Sequence, residues 1–133
     1  MNRIVGFFMI FIIIGVFSCS SQSARVEREA KIRTRAEMYS TYLDEDLALI
    51  YDYENGKNHY MQNCASCHGA DGKKNSQQSI PHFKSLSQSA IVNPEEFLVT
   101  MTYGKAKTKM KGFENKIPLF IMIDIIGYTM NAK

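Results

Sequence analysis

Two cysteines and one histidine lie within five residues, Cys64 to His68, of a chain that has three cysteines and three histidines in all. Cysteines three positions apart project from the same face of a helical turn. Their sulfur atoms can therefore reach the two vinyl groups on one side of a porphyrin, and the adjacent histidine can bind the iron. This order of residues is the attachment signature of a c-type haem. We therefore expect Cys64 and Cys67 to hold one covalent haem and His68 to be an iron ligand.

Two other chemistries could use the same cysteines. A structural zinc site needs four ligands, and the sequence has no second cysteine pair or spaced histidine pair to complete one. A thioredoxin-like dithiol needs a strand before the motif and a helix after it, whereas here a helical pattern precedes Cys64 and a glycine-rich loop follows His68. Both alternatives fit the sequence less well than haem does.

The amino terminus predicts export. Arg3 precedes the apolar run 4–17, and the small residues 18–21 follow it, which is the order found in a secretory signal. The run has 14 residues, and a membrane-spanning helix needs about 20. The segment 16–19, VFSC, resembles the lipobox of bacterial lipoproteins, although Phe17 replaces the usual small residue. We expect a signal peptide over 1–18, lipidation of Cys19 and an extracytoplasmic, membrane-anchored protein in the periplasm or on the outer surface; an ordinary signal peptide is the alternative.

Length and charge limit the remaining possibilities. A chain of 133 residues has room for one small domain and an extension. Lysine and arginine total 16 against 13 acidic residues, a weak excess that excludes the dense positive surface of a nucleic-acid-binding protein. Residues 25–43 are rich in Arg, Glu and Ala without a clear apolar stripe, which predicts a solvated helix or tether, or a helix that binds a partner. We expect residues 19–53 to be a tether that is partly helical. The domain proper is then 54–133.

Two helical patterns precede the motif. Asp44 is placed to cap a short helix that carries Leu47, Ile50 and Tyr51. Residues 54–63 predict a helix that leads into Cys64, with Gly56 and Tyr60 on one face.

Two further helices follow the motif. Asn93 as cap, Pro94 in the first turn and Glu96 in the capping-box position predict a helix that ends at Gly104. The last helix, from about 118 to 129, is apolar nearly all round. Three or four short helices give a marginal core, so an all-α domain of this size needs a disulfide, a metal or a cofactor in its interior.

The residues from about Glu54 to Asn131 resemble the monohaem class I c-type cytochromes. The segment GKNHYMQNCASCHGADGK resembles the opening helix and attachment motif of that family, IPHF its proline loop, KMKGF its sixth-ligand segment and IIGY its closing aromatic position. The resemblance implies a small cytochrome c fold of three to four helices wrapped around one covalent haem. It also implies cofactor-binding roles for Tyr60, for Pro81 as acceptor of the histidine ring proton, and for Met110 as the second iron ligand. One departure is Lys111, which stands where the family commonly has proline.

The sixth iron ligand can also be considered from the sequence alone. A strong ligand there makes an electron carrier, whereas an open position admits oxygen, peroxide or a gas. Met110 lies in a polar loop, where core packing does not explain it, while the other methionines after the motif fall in predicted helices. Met110 is therefore the expected ligand, and His82, Met101 or an open site are the alternatives.

Lysines crowd the segment around Met110, at Lys105, Lys107, Lys109, Lys111 and Lys116. Such a run is either a solvated loop or a docking surface for an acidic redox protein. The sequence as a whole predicts an extracytoplasmic single-electron carrier with one c-type haem and His/Met ligation, not an enzyme and without a small-molecule substrate. The alternatives are a haem relay subunit of a larger redox complex and a catalytic or sensory haem protein with a labile sixth ligand.

Overall fold

A computed structural model of the chain describes residues 22–70 and 83–131. The chain divides into two units, Met1–Thr34 and Arg35–Lys133. Across the described ranges the regular structure is helical, and extended pairing is limited to two isolated bridges, Leu43 with Leu49 and Gly104 with Lys111. The predicted all-α fold class is therefore confirmed.

Helix α1, residues 22–37, makes up the described part of the first unit and continues into the second. Ion pairs one turn apart join Arg25 to Glu29 at 3.0 Å and Lys31 to Glu27 at 3.1 Å. All four side chains are mostly exposed, so each pair adds only about 0.3–0.5 kcal/mol of helix stability. A polar, exposed helix of this kind agrees with the expected helical content of the tether.

In the part of the chain described here, none of the helices is both long and apolar enough to cross a membrane.

The second unit contains a 3₁₀-helix and five α-helices among its described residues. They are the 3₁₀-helix Met38–Tyr42, α2 Tyr53–Asn63, α3 Ala65–His68, α4 Phe83–Val92, α5 Pro94–Tyr103 and α6 Leu119–Asn131. Helix α6 is the centre of the core because α2, α4 and α5 all pack against it. This explains why its sequence is apolar nearly all round: residues 122–129 are buried without a break.

Helices α2 and α6 cross in close contact. A side chain at Gly56 would overlap the backbone carbonyl of Asp124, so only glycine allows this approach. One turn later Tyr60 is 1 % exposed, and its ring lies 5.4 Å from that of Tyr128. The prediction that Gly56 and Tyr60 share one face of a helix is therefore confirmed.

Asp124 is a buried carboxylate on the apolar helix α6. Its two oxygens accept hydrogen bonds from the backbone N–H of Asp52 at 2.8 Å and from the side-chain amide of Asn55 at 2.7 Å. These bonds offset the cost of burying the group. They also attach the first turn of α2 to the middle of α6.

The helix expected after Asp44 is wrong. The Asp44 carboxylate instead accepts hydrogen bonds from the N–H groups of Asp46 and Ala48, at 2.9 and 2.8 Å, and so stabilises a tight turn. Leu47 in this turn is 78 % exposed and has a φ of 61°. The apolar residues whose spacing suggested a helix belong to this turn and the chain next to it. Leu43 and Leu49, on either side of the turn, pack against the core.

The compact unit begins at Arg35, earlier than the domain start expected at residue 54. Tyr39, from the 3₁₀-helix, is 6 % exposed, and burial together with the charge of Glu95 raises the pKa of its hydroxyl. The ring of Tyr51 covers Gly127 of α6 so closely that a side chain there would overlap it. Residues 35–53 therefore form part of the packed structure.

The helices after the motif agree with the sequence-based predictions to different degrees. Helix α5 begins as predicted: the Asn93 side chain accepts from the N–H of Glu96 at 3.3 Å and donates to the Glu96 carboxylate at 2.9 Å. Helix α6 starts and ends within two residues of the expected bounds. Helix α4, in contrast, is absent from the sequence-based predictions, because its serines and glutamine conceal a short face that buries Ala90.

Candidate haem site

The five-residue motif follows α2 directly and folds as a helical turn. The N–H of Cys64 donates to the Tyr60 carbonyl at 2.8 Å, so the helical hydrogen bonding of α2 continues into the motif. The Cys64 carbonyl then accepts from the N–H groups of Cys67 at 3.1 Å and His68 at 2.9 Å. Cys64, Cys67 and His68 are therefore placed on one turn, as their spacing predicts.

The two cysteines lie in different surroundings. Cys64 is half-buried and Cys67 is exposed. Burial, and secondarily the neighbouring Cys67, raises the pKa of the Cys64 thiol to about 12, so this group is neutral at ordinary pH. Within the described part of the chain neither sulfur belongs to a disulfide, so both can form thioether bonds.

The donor set fits haem better than a directly bound metal ion. In residues 22–70 and 83–131, no three His, Cys, Asp or Glu side chains are grouped so that they could hold a metal ion. The motif's two sulfurs and one imidazole therefore do not converge on one point, as zinc would require. A c-type haem needs the sulfurs at the porphyrin edge and the imidazole alone at the iron.

Tyr60 and Gly69 border the motif on its two sides. The Tyr60 hydroxyl donates to the Gly69 carbonyl at 2.9 Å, and the Gly69 N–H donates to the Ala65 carbonyl at 2.8 Å. Gly69 has φ 83° and ψ 161°, a conformation open essentially to glycine alone. The structure thus places Tyr60, one of the predicted cofactor-binding residues, in contact with the chain directly after His68.

Met110 lies in a closed loop after α5. The N–H of Lys105 donates to the Met110 carbonyl at 3.1 Å, and the Met110 N–H donates to the Thr108 hydroxyl at 3.1 Å. The same hydroxyl donates to the Lys105 carbonyl at 2.8 Å. The N–H of Phe113 donates to the Met101 carbonyl at 2.9 Å, which ties the end of the loop to α5. The half-buried Met110 is therefore held at both backbone groups.

The predicted site residues divide into three groups. Tyr60 and the three motif residues are brought together, whereas Met110 belongs to a separate loop and its pairing with His68 stays a prediction. The predicted docking lysines, which share that loop and are all exposed, are Lys105, Lys107, Lys109 and Lys111. Cys19 and Pro81, with the alternative ligand His82, lie outside the described residues.

Sequence reasoning missed two residues that support the site. Thr108 precedes Met110 by two positions, a spacing at which a hydroxyl can bind a nearby backbone group and which signals a local turn. Asp124 stands alone among apolar residues of α6, and an isolated carboxylate in such a helix is a signal of a buried hydrogen-bond acceptor. Its partners in α2, however, are evident only in the folded chain.

Comparison with known proteins gives a match to a family model. Residues 51–118, about half of the chain, match the family model described as cytochrome c oxidase, cbb3-type, subunit III, a c-type cytochrome domain. The matched range includes the whole attachment motif and Met110. Searches of curated proteins and of solved structures found no match. With half of its residues in this match and its attachment motif on a helical turn, the chain belongs to the family of cbb3-type cytochrome c oxidase subunit III, and its domain is a monohaem cytochrome c domain.

Proposed function

We propose that this protein is a membrane-anchored, extracytoplasmic carrier of single electrons that holds one c-type haem. The observation that carries the proposal is the helical turn of Cys64, Cys67 and His68 at the end of α2. That helix is fixed to the buried helix α6 by the Gly56 contact and by the Asp124 hydrogen bonds. The motif therefore follows a helix whose first half is held against the core.

The roles of the residues follow from their chemistry. Cys64 and Cys67 supply thiols for thioether bonds, and His68 supplies the imidazole ligand. Met110 would supply the second ligand, and Pro81, which lies outside the described residues, is proposed as the acceptor of the His68 ring proton, a contact that would orient the imidazole and raise its basicity. The haem, when bound, supplies a one-electron couple. With His68 and Met110 both bound to the iron, the site would leave no room for a small-molecule substrate.

A second candidate is a haem relay within a larger oxidase. The family description names an oxidase subunit, which favours this role. The exposed, ion-paired helix α1 would then be the element that docks onto a neighbouring subunit. Copurification of further subunits with the tagged protein in mild detergent distinguishes the relay from a carrier that diffuses on its own.

The anchor is proposed at Cys19, after removal of the signal peptide 1–18. Acyl chains on one residue hold a protein at a membrane surface without a spanning helix. We expect Cys19→Ser to move the mature protein from the membrane fraction to the soluble extracytoplasmic fraction. A variant that stays with the membrane would contradict the lipid anchor and leave the haem assignment standing.

The main test is the spectrum of the exported protein made in cells that mature c-type cytochromes. We expect haem that stays with the chain in denaturant, a ferrous form that does not bind CO, and the weak near-infrared band of Met-ligated ferric haem. Cys64→Ala and Cys67→Ala should each lose one thioether bond, and His68→Ala should lose the iron ligand while keeping both cysteines. A colourless folded protein would refute the proposal, and rapid CO binding would refute Met110 as ligand in favour of a sensory or catalytic site.

A further inference from the structure

The Tyr60 hydroxyl makes a part-buried hydrogen bond across the attachment motif. It donates to the Gly69 carbonyl at 2.9 Å, nine residues along the chain; Tyr60 is 1 % exposed and Gly69 is half-buried. Partial burial reduces competition from water, so this hydrogen bond restrains the Gly69 carbonyl more than an exposed one would.

The Tyr60 ring has little freedom to move. It packs against Tyr128 of α6 with ring centroids 5.4 Å apart, and Tyr128 packs in turn against Tyr53 at 5.3 Å. Offset and edge contacts of this kind hold aromatic rings in place. The hydroxyl is therefore fixed relative to the core of the domain rather than to the motif itself.

The backbone around His68 is held from both sides. Its own N–H donates to the Cys64 carbonyl at 2.9 Å, and the next residue, Gly69, donates to the Ala65 carbonyl at 2.8 Å. Those two bonds lie within the turn and set its internal shape. The Tyr60 bond relates the end of the turn to the packed core.

We propose that Tyr60 is a positioning residue for His68, which fixes the direction of the imidazole by binding the Gly69 carbonyl. The inference rests on the proposed function, in which His68 binds the haem iron. The Tyr60 ring fills the core, and the Tyr60 hydroxyl has the separate role of positioning His68.

The test compares Tyr60→Phe with Tyr53→Phe in the haem-loaded protein. Both variants keep the aromatic ring and lose one hydroxyl from the same tyrosine cluster, but Tyr53 belongs to the other end of α2. Two readouts are measured: hydrogen exchange of the Gly69 amide, and the g-values of the ferric electron paramagnetic resonance spectrum, which report the orientation of the axial imidazole.

We expect the Gly69 amide hydrogen to exchange about fivefold faster in Tyr60→Phe than in the wild type. This factor of about five corresponds to losing the free energy of one ordinary hydrogen bond. We also expect shifted g-values in this variant, with both readouts unchanged in Tyr53→Phe. Wild-type g-values in Tyr60→Phe, with or without faster exchange, would overturn the inference, as would equal changes in both variants. A wild-type protein without haem would overturn the proposed function and this inference together, so the two failures are distinguishable.

Discussion

Met110 is followed by Lys111, where the resembling cytochromes commonly have a proline that stiffens the ligand loop. In this chain the Thr108 hydroxyl contributes to the same end, because it accepts from the Met110 N–H and donates to the Lys105 carbonyl. Two hydrogen bonds from one side chain restrict the backbone at Met110 without a ring. The hydrogen bonds of Thr108 therefore restrain the loop in place of the proline that is missing at Lys111.

Replacing Thr108 with valine should loosen Met110. Valine keeps the shape of threonine and removes both hydrogen bonds; because Thr108 is exposed, water replaces part of what is lost, and we expect about a twofold to fivefold effect. The measurement is the affinity of the ferric protein for added imidazole, which would compete with the proposed Met110 ligand and should bind more tightly to the variant. Thr108→Ser keeps the hydroxyl and serves as the control; equal affinities for the valine and serine variants would contradict this role.

The motif could be predicted from the sequence because its chemistry depends on residues that are close along the chain. Cys64, Cys67 and His68 need one helical turn to come together, and their spacing specifies that turn. The contact between Tyr60 and Gly69 could not be predicted in this way. It depends on the path of the chain after His68, which a left-handed glycine sets.

The crossing of α2 and α6 determines where the motif lies in the domain. Gly56 allows the two backbones to meet, and Asp124 binds the first turn of α2 through Asp52 and Asn55. The helix is thus fixed near its start, and its last residues carry the chain into Cys64. A change at the crossing should affect the stability of the whole haem-loaded domain.

We expect Gly56→Ala to lower the free energy of unfolding by about 1–3 kcal/mol. The added methyl group overlaps the Asp124 carbonyl and forces the helices apart, a cost that exceeds the gain of about 0.5–1 kcal/mol from the higher helix propensity of alanine. Denaturant unfolding of the haem-loaded protein measures the difference. Asn58→Ala, on the exposed side of α2, should be neutral or stabilising; a Gly56→Ala variant as stable as this control would show that the crossing can relax.

Local signals explain which helices could be predicted. Asn93, Pro94 and Glu96 specify the start of α5 by their own hydrogen bonds and dihedral preference, so that helix follows from the sequence. Helix α4 has no comparable cap or clear stripe, and packing against α5 and α6 stabilises it instead. The same limit applies to the segment after Asp44, where a carboxylate that could cap a helix stabilises a turn.

The charges of the domain are unevenly distributed along the chain. Lysines are concentrated in the loop around Met110, where Lys105, Lys107, Lys109 and Lys111 are exposed. Clustered charge of one sign raises the rate of encounter with an oppositely charged partner, and salt screens the effect. If this loop borders the haem, the lysines favour an acidic electron donor or acceptor.

Charge reversal at Lys107 and Lys109 should slow electron transfer at low ionic strength. We expect a decrease of about tenfold or more in the rate at which native membranes oxidise the reduced protein, and convergence with the wild type as salt is raised. The control reverses Lys57 and Lys84, which are exposed on α2 and α4 and change the net charge by the same amount. Equal rates for the two double variants would assign the lysine loop to solubility alone.

Tyr51 and Asp52 reach α6 before the chain enters α2, through the Gly127 contact and the Asp124 hydrogen bond. If the amino terminus is tethered to a membrane, any mechanical tension in the tether would meet the packed residues 35–43 first and this segment next. The force would then pass into helix α6, and the contacts between this segment and α6 would resist it before it reached the turn that carries Cys64. The proposed haem site would then be protected from movements of the membrane to which the protein is anchored.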